Sequence, residues 1–281
     1  MENPPVSSRD VGIRLKDQPA QPLLSTKLFT PPLRFHLVSR RRLLSRLQQA
    51  PQYPLTLICA PAGYGKTTLL AEWLAEDPAV SGLARVGWLS LDEEDNDPTR
   101  FLAYVIAAIE KVCPEVTRDA QAYLRSPQPP PIQTILVVLI NSLQNLTHLL
   151  WLVLDDYHFI TNREIHTSLT FLLEHLPARF HLVIATRSDP PLPLHRLRAS
   201  NRLLELRSDD LRFTTEETTT FINQVMALCL SPDDILTLEN RTEGWIAGLQ
   251  MAALSMQGLE DRAAFVRDFG GSHRFVLEYL I

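Results

Sequence analysis

Apolar residues in this chain fall into two kinds of run. Short, mostly apolar blocks occur at Leu55–Ala60, Val86–Leu91, Leu150–Leu154, Phe180–Ala185 and Leu203–Leu206. Blocks of this length with no polar face are the pattern of strands covered on both sides. Between them, apolar positions recur at helical spacing over Val38–Leu47, Leu69–Ala75, Phe101–Val112 and Ile132–Leu146. Strand alternating with helix predicts an α/β fold, a five-stranded parallel sheet flanked by helices over residues 55–207.

From Thr214 onward the strand-like blocks stop. Thr214-Thr215-Glu216-Glu217 is a capping box. Ser231-Pro232 opens a second helix, with serine as N-cap and proline at the first helical position. Thr242-Glu243-Gly244 breaks that helix before Trp245–Met256. The expected partition is a disordered tail over 1–24, a linker and helix over 25–50, and an α/β domain over 51–212. A small all-helical domain over 213–260 and a further segment over 261–281 follow.

The first block runs straight into chemistry. Leu55–Ala60 is followed by Pro61-Ala62-Gly63-Tyr64-Gly65-Lys66-Thr67-Thr68 and then a helical stretch. Strand, glycine turn and helix N-terminus together make a cradle for polyphosphate. The glycines let consecutive backbone N–H groups point into one concavity, and the helix dipole adds positive potential. In this P-loop pattern, Lys66 is placed for the β- and γ-phosphates and the Thr67 hydroxyl for Mg²⁺. The first glycine of G-x-x-x-x-G-K-[ST] is Ala60 here, while Gly63 and Gly65 are kept.

A second signal lies about ninety residues further on. Leu150–Leu154 ends in Asp155-Asp156, which puts two carboxylates at the C-terminal edge of a strand, where open α/β sheets bind ligands. One acid can hold Mg²⁺ and the other can orient or deprotonate an attacking water. The block Phe180–Ala185 ends in Thr186-Arg187, a cation able to sense a γ-phosphate.

Other features read more plainly. Thr26–Pro32 is expected to be extended, and Ser39 to cap the helix that follows. Arg40-Arg41-Arg42 reads first as a solvated face, although one arginine could reach a nucleotide from a helix so close to the P-loop. The acidic run Asp92–Asp97 reads as a solvated loop ending in a helix cap.

Composition narrows the class. With 45% apolar and 21% charged residues and a net charge of −5, the 281-residue chain has no basic footprint for nucleic acid. Cys59, Cys113 and Cys229 are far apart, odd in number and set in apolar runs, so buried free thiols are expected. No secretory signal is visible near the start, and the most apolar window, Ile135–Leu154, is broken by Asn141, Gln144, Asn145 and His148. No membrane span is expected, and the chain reads as cytoplasmic.

Taken together these motifs resemble the nucleotide-binding region of the MalT-like regulators, the large ATP-binding members of the LuxR family and of the STAND class of signal-transduction ATPases. The resemblance rests on Thr26-Lys27-Leu28, the P-loop, Trp88–Asp92, Asp95-Asn96-Asp97, Leu154–His158, Leu192-Pro193-Leu194, Arg196-Leu197-Arg198 and Thr242–Trp245. It implies that Val38 and Arg40 border the adenine, and that the turn Pro61, Ala62, Gly63, Tyr64, Gly65 with Lys66, Thr67 and Thr68 holds the phosphates. It further implies that Thr67 and Asp155 hold Mg²⁺, and that Asp156 is the catalytic acid, acting with Lys66 and Arg187. Gly244-Trp245-Ile246 sits where many such proteins carry a Gly-x-Pro turn on the nucleotide; the proline is absent here.

The resemblance thus implies a slow ATPase switch with ATP or ADP and Mg²⁺ as ligands, self-association in the ATP form, and an inducer. An ADP-bound interaction module without turnover is the alternative, and a metabolic P-loop kinase is a weaker third reading. Gly270–Leu280 resembles the opening of a winged-helix domain, so a DNA-binding part is expected in a longer parent protein. Direct DNA binding is not expected of these residues.

Overall fold

The computed structural model describes residues 22–33, 37–76 and 84–269. Five strands form one sheet: β1 (Leu55–Cys59), β2 (Ala84–Ser90), β3 (Leu149–Asp155), β4 (Phe180–Thr186) and β5 (Leu203–Arg207). All pairings are parallel and the order is β2-β3-β4-β1-β5. The α/β reading is therefore correct, and the two signal-bearing strands, β1 and β3, are separated by β4. In register, Cys59 of β1 lies beside Thr186 of β4, and Leu154 of β3 beside Ile184.

The helices in chain order are α1 (Arg41–Leu47), α2 (Lys66–Glu76), α3 (Pro98–Glu110), α4 (Pro114–Leu124), α5 (Ile132–Leu143) and α6 (Arg163–Glu174). After them come α7 (Leu194–Ala199), α8 (Ser208–Leu211), α9 (Thr215–Thr219), α10 (Pro232–Thr242), α11 (Ile246–Ser255) and α12 (Arg262–Asp268). A π-helical stretch, Thr220–Val225, prolongs α9.

Why the strand blocks are mostly apolar is visible in their burial. On β3, Leu150, Leu152 and Leu154 enter the core beneath α3–α6, while Trp151 and Val153 enter the core beneath α1 and α2. A central parallel strand has no wet face on which to put a polar residue. The edge strand β5 differs. It buries Leu204 and Leu206 but leaves Glu205 and Arg207 half-exposed, a charged edge that discourages pairing with another chain.

Helices α9–α12 have a core of their own, built on Phe213, Ile222, Leu238, Leu249, Met256, Val266 and Phe269. Val38, from the segment before α1, packs into that same core. The Thr214–Glu217 capping box and the Ser231 cap are both formed. Among the described residues no helix is long and apolar enough to cross a membrane.

Four local expectations are corrected. Ser25–Leu28 is a short 3-10 helix rather than extended chain, because Lys27 is drawn into an ion pair with Asp92 and Asp95. Arg40, not Ser39, sits at the N-cap of α1; its carbonyl accepts from Leu43 and Leu44, while the Ser39 hydroxyl bonds Glu72. The acidic run is only partly solvated: Asp97 caps α3 as expected, but Asp95 is fully buried against Lys27. Cys229 is exposed, because its apolar neighbourhood is a loop with left-handed backbone at Ala227 and Cys229 rather than a core element. The winged-helix resemblance over Gly270–Leu280, and residues 1–21 of the expected tail, lie outside the described residues.

Candidate nucleotide-binding site

The turn between β1 and α2 takes its shape from two glycines in left-handed backbone, Gly63 at φ 79° and Gly65 at φ 71°. Ala60 adopts no such conformation, so alanine is tolerated where the P-loop pattern has its first glycine. The Ala60 N–H donates to the Thr186 carbonyl on β4 at 3.2 Å, which starts the turn from the sheet itself.

Lys66, at the start of α2, is buried, and its ammonium donates to the carbonyls of Ala60 at 2.8 Å and Pro61 at 2.9 Å. Burial pulls its pKa down, and the carboxylates of Asp156 and Asp155 push it back up. One residue on, the Thr67 hydroxyl donates to Asp155 Oδ2 at 2.8 Å, bridging 88 positions of sequence. Asp155 Oδ1 accepts from the Asp156 N–H at 3.0 Å. Burial, reinforced by the neighbouring Asp156 charge, pushes the Asp155 pKa up to about 6. The charged form of a buried carboxylate with a second acid beside it is favoured by a nearby positive charge.

Asp156 itself stands in left-handed backbone, φ 56°, an uncommon conformation for a residue with a side chain. Such backbone clusters at functional sites. Its neighbour His158 lies 3.7 Å from an Asp156 oxygen, and among the described residues neither of its ring nitrogens is in a hydrogen bond. Burial and then the nearby Arg187 hold that imidazole below its usual pKa. Arg187, just past β4, is exposed and makes no hydrogen bond or ion pair with the described residues.

A cavity of about 660 Å³ opens over the turn. Its polar end carries Lys66, Thr67, Thr68, Asp156 and Arg187. Its other walls are Val38, Phe213, Phe221, Met226, Met251 and Leu254, an apolar slot contributed by the segment before α1 and by the helical part. A charged end joined to an apolar slot matches a molecule that is anionic at one end and flat and apolar at the other.

Arg40 closes the side of this cavity. It is 3% exposed, and its guanidinium donates to the carbonyls of Tyr64 at 3.3 Å, Gly65 at 2.8 Å and Leu211 at 3.2 Å. Burial pulls its pKa down to about 10, which still leaves it charged at neutral pH. Arg42 bonds the Asp210 and Arg212 carbonyls and Glu217. Of the three adjacent arginines, Arg40 is buried, while Arg42 bonds protein groups from an exposed position.

Trp245 is placed differently from the rest of the expected set. Its indole N–H donates to the Ala62 carbonyl at 2.9 Å, and the Ala247 N–H donates to the Gly63 carbonyl at 3.1 Å. The indole lies behind the glycine turn rather than on the cavity wall; Ile246 and Ala247 are the lining residues of that segment. A Cβ on Gly63 would come within 2.5 Å of the Ala247 Cβ and 2.7 Å of the indole nitrogen, so only glycine fits this clasp. Pro61 and Tyr64 likewise meet the site through their carbonyls, which accept from Lys66 and Arg40.

Sequence reasoning missed the apolar slot, because Phe213, Phe221, Met226, Met251 and Leu254 share no local pattern. They converge only through packing.

No family model matches the chain. It is 38% identical over 234 residues to the HTH-type transcriptional regulator MalT of Vibrio campbellii, an alignment covering 83% of this chain and 25% of that protein. The same regulator from Serratia proteamaculans is 37% identical over 233 residues, with the same coverage of both. Over that stretch the chain is similar to the MalT regulators. It spans about a quarter of the length of the MalT proteins it matches. Among solved structures, Cdc6p from Pyrobaculum aerophilum is similar at a TM-score of 0.51 and 16% identity, over 84% of this chain and 66% of that one. That likeness is one of fold alone, a parallel sheet flanked by helices.

Proposed function

We propose that the chain is the nucleotide-binding switch of a MalT-like regulator of the LuxR family and STAND class, which binds ATP or ADP with Mg²⁺ and hydrolyses ATP slowly. The observation that carries this is the 2.8 Å bond from the Thr67 hydroxyl to Asp155, formed beside the Lys66 ammonium at the mouth of the glycine turn. The donor set fits the implied ligands: a buried carboxylate raised to about 6, a hydroxyl on it, and Arg187 lining the same cavity.

In this reading the peptide N–H groups of residues 62–68 and the helix start receive the phosphates. Lys66 neutralises the β- and γ-oxygens, and Arg187 senses the γ-phosphate. Val38, Phe213 and Met251 enclose the base, with Arg40 holding the wall beside it. Thr67 and Asp155 would hold Mg²⁺, which when bound supplies charge neutralisation at the phosphates. Asp156 orients the attacking water and takes its proton as the bond to the ADP oxygen breaks.

A second reading, an ADP-held interaction module with negligible turnover, draws support from the Trp245 and Ala247 bonds that already fasten the helical part onto the turn. Calorimetric titration with ATP and ADP, followed by phosphate release, separates the two. Asp156→Ala is expected to keep ATP affinity within about twofold and to lose at least 100-fold in release rate, a general base contributing about 10²–10⁴-fold. Equal release by the variant and its parent would remove Asp156 from the reaction. The inducer, self-association in the ATP form and a DNA-binding domain elsewhere in the parent protein belong to the same proposal, as does a cytoplasmic location. Direct DNA contact is not part of it.

A further inference from the structure

The acidic run Asp92–Asp97 has no task in the nucleotide reading, yet it is held by a buried ion pair and by hydrogen bonds to the turn after β3. Asp95 is fully buried; its Oδ2 accepts from the Lys27 ammonium at 2.8 Å and from the Asp92 N–H at 2.9 Å. Lys27 also lies 2.6 Å from Asp92. The 3-10 turn Glu93–Asn96 is thus fixed by a cation from the segment before α1. What that fixed turn presents is Asn96.

The Asn96 carboxamide is fully engaged. Its Nδ2 donates to the Phe159 carbonyl at 2.6 Å and to the Glu93 carbonyl at 3.1 Å. Its Oδ1 accepts from the Thr161 N–H at 2.7 Å, the Thr161 hydroxyl at 3.2 Å and the Asn162 N–H at 3.2 Å. The backbone carbonyl of Asn96 accepts from Asn162 Nδ2 at 2.9 Å. Turning the amide over would set its NH₂ against two backbone N–H groups, so the geometry admits one orientation.

The stretch gripped in this way begins at the second acid of β3. Asp156 is left-handed, and the Phe159 N–H donates to its carbonyl at 3.2 Å, so a single tight turn separates Asp156 from the Asn96 contacts. On its other side Asp156 is held by β3. An aspartate keeps such backbone only where its surroundings fix it from both directions. Asn96 touches neither the cavity nor the glycine turn.

We propose that Asn96 is a positioning residue for Asp156, anchoring the turn 157–162 so that the carboxylate stays beside Lys66 and Arg187. The proposal rests on the ATPase reading, in which Asp156 is the acid. It concerns turnover and not affinity, because the phosphate and base contacts come from other elements.

The test compares Asn96→Ala and Asn96→Asp with the parent chain by ATP calorimetry, single-turnover hydrolysis with protein in excess, and amide hydrogen exchange. Asn96→Ala is expected to bind ATP within twofold of the parent, to hydrolyse it at least tenfold more slowly, and to exchange faster over 156–162 with 60–68 unchanged. Asn96→Asp keeps the acceptor for Thr161 and Asn162 but loses the donor to Phe159 and Glu93, so an intermediate rate is expected, and it serves if the alanine variant does not fold. An unchanged rate, or affinity and rate falling by the same factor, overturns the proposal. Loss in both Asn96 variants alongside full activity in Asp156→Ala would instead overturn the assignment of Asp156 on which it stands.

Discussion

Replacing Lys66 with alanine is expected to weaken ATP binding by about 100-fold while leaving the melting temperature of the nucleotide-free chain nearly unchanged. The ammonium is the one buried cation at the start of α2, and each charge-assisted bond it makes to a phosphate contributes about 1.5–3 kcal/mol. Two such bonds account for a hundredfold. In the empty site the effects oppose one another. Alanine abandons the Ala60 and Pro61 carbonyls, at about 1 kcal/mol each, but also removes a desolvated charge whose pKa burial has already lowered. At a fixed saturating ATP concentration, a hundredfold weaker site forfeits about 2.7 kcal/mol of ligand stabilisation. That is about 5–10 °C of ATP-induced shift for a domain of this size. Melting scans with and without ATP read both quantities, and an undiminished shift in the variant would remove Lys66 from the site.

Asp155→Asn is expected to do the reverse to the empty protein, raising its stability by about 2–3 kcal/mol at pH 7.5. Asp155 titrates near 6 in the folded chain against 3.8 as the ordinary value, and each pKa unit corresponds to about 1.4 kcal/mol. Because the folded value is the higher one, the stabilising contribution is present below about pH 4 and is lost as pH rises through about 6. Asparagine removes the buried charge and its repulsion with Asp156, yet its side-chain oxygen can still accept from the Asp156 N–H while its NH₂ donates to the Thr67 hydroxyl, which can turn to accept. The gain in melting temperature should therefore be large at pH 7.5 and nearly absent at pH 4. The variant should also lose the additional stabilisation that Mg²⁺ gives the ATP-bound parent. A variant that melts below its parent at pH 7.5 would contradict the buried-charge account.

These effects concern residues readable in the sequence, and the reason is locality. The Gly63–Thr68 turn lies within a dozen residues of its strand, and Asp155-Asp156 ends an apolar block, so each signal is complete in one short stretch. The strand order is another matter. Nothing near Leu55 or Leu150 says that β4 will lie between them, because that order is decided by crossovers that pack helices on both faces. Arg187 gains its place opposite Asp156 only through that order.

Asp95 and Lys27 illustrate the same limit. They are 68 positions apart, and a run of acids beside a turn ordinarily faces water. Only the approach of a distant cation makes burial of one acid tolerable. Arg40 replaces Ser39 at its cap because three backbone carbonyls from the glycine turn and from Leu211 await a donor, and a serine cannot reach them.

The clasp on the glycine turn has an optical consequence. Of the four tryptophans in the chain, Trp73, Trp88 and Trp151 are at most 1% exposed, while Trp245 is half-buried and fastened to Ala62 by its indole. Release of the helical part would bring water to that one ring, shifting its fluorescence to longer wavelength while the other three stay dark to the event. The molecule therefore carries an unlabelled gauge of whether the helical part is joined to the glycine turn, and stopped-flow emission during ATP or ADP mixing would read whether nucleotide releases it.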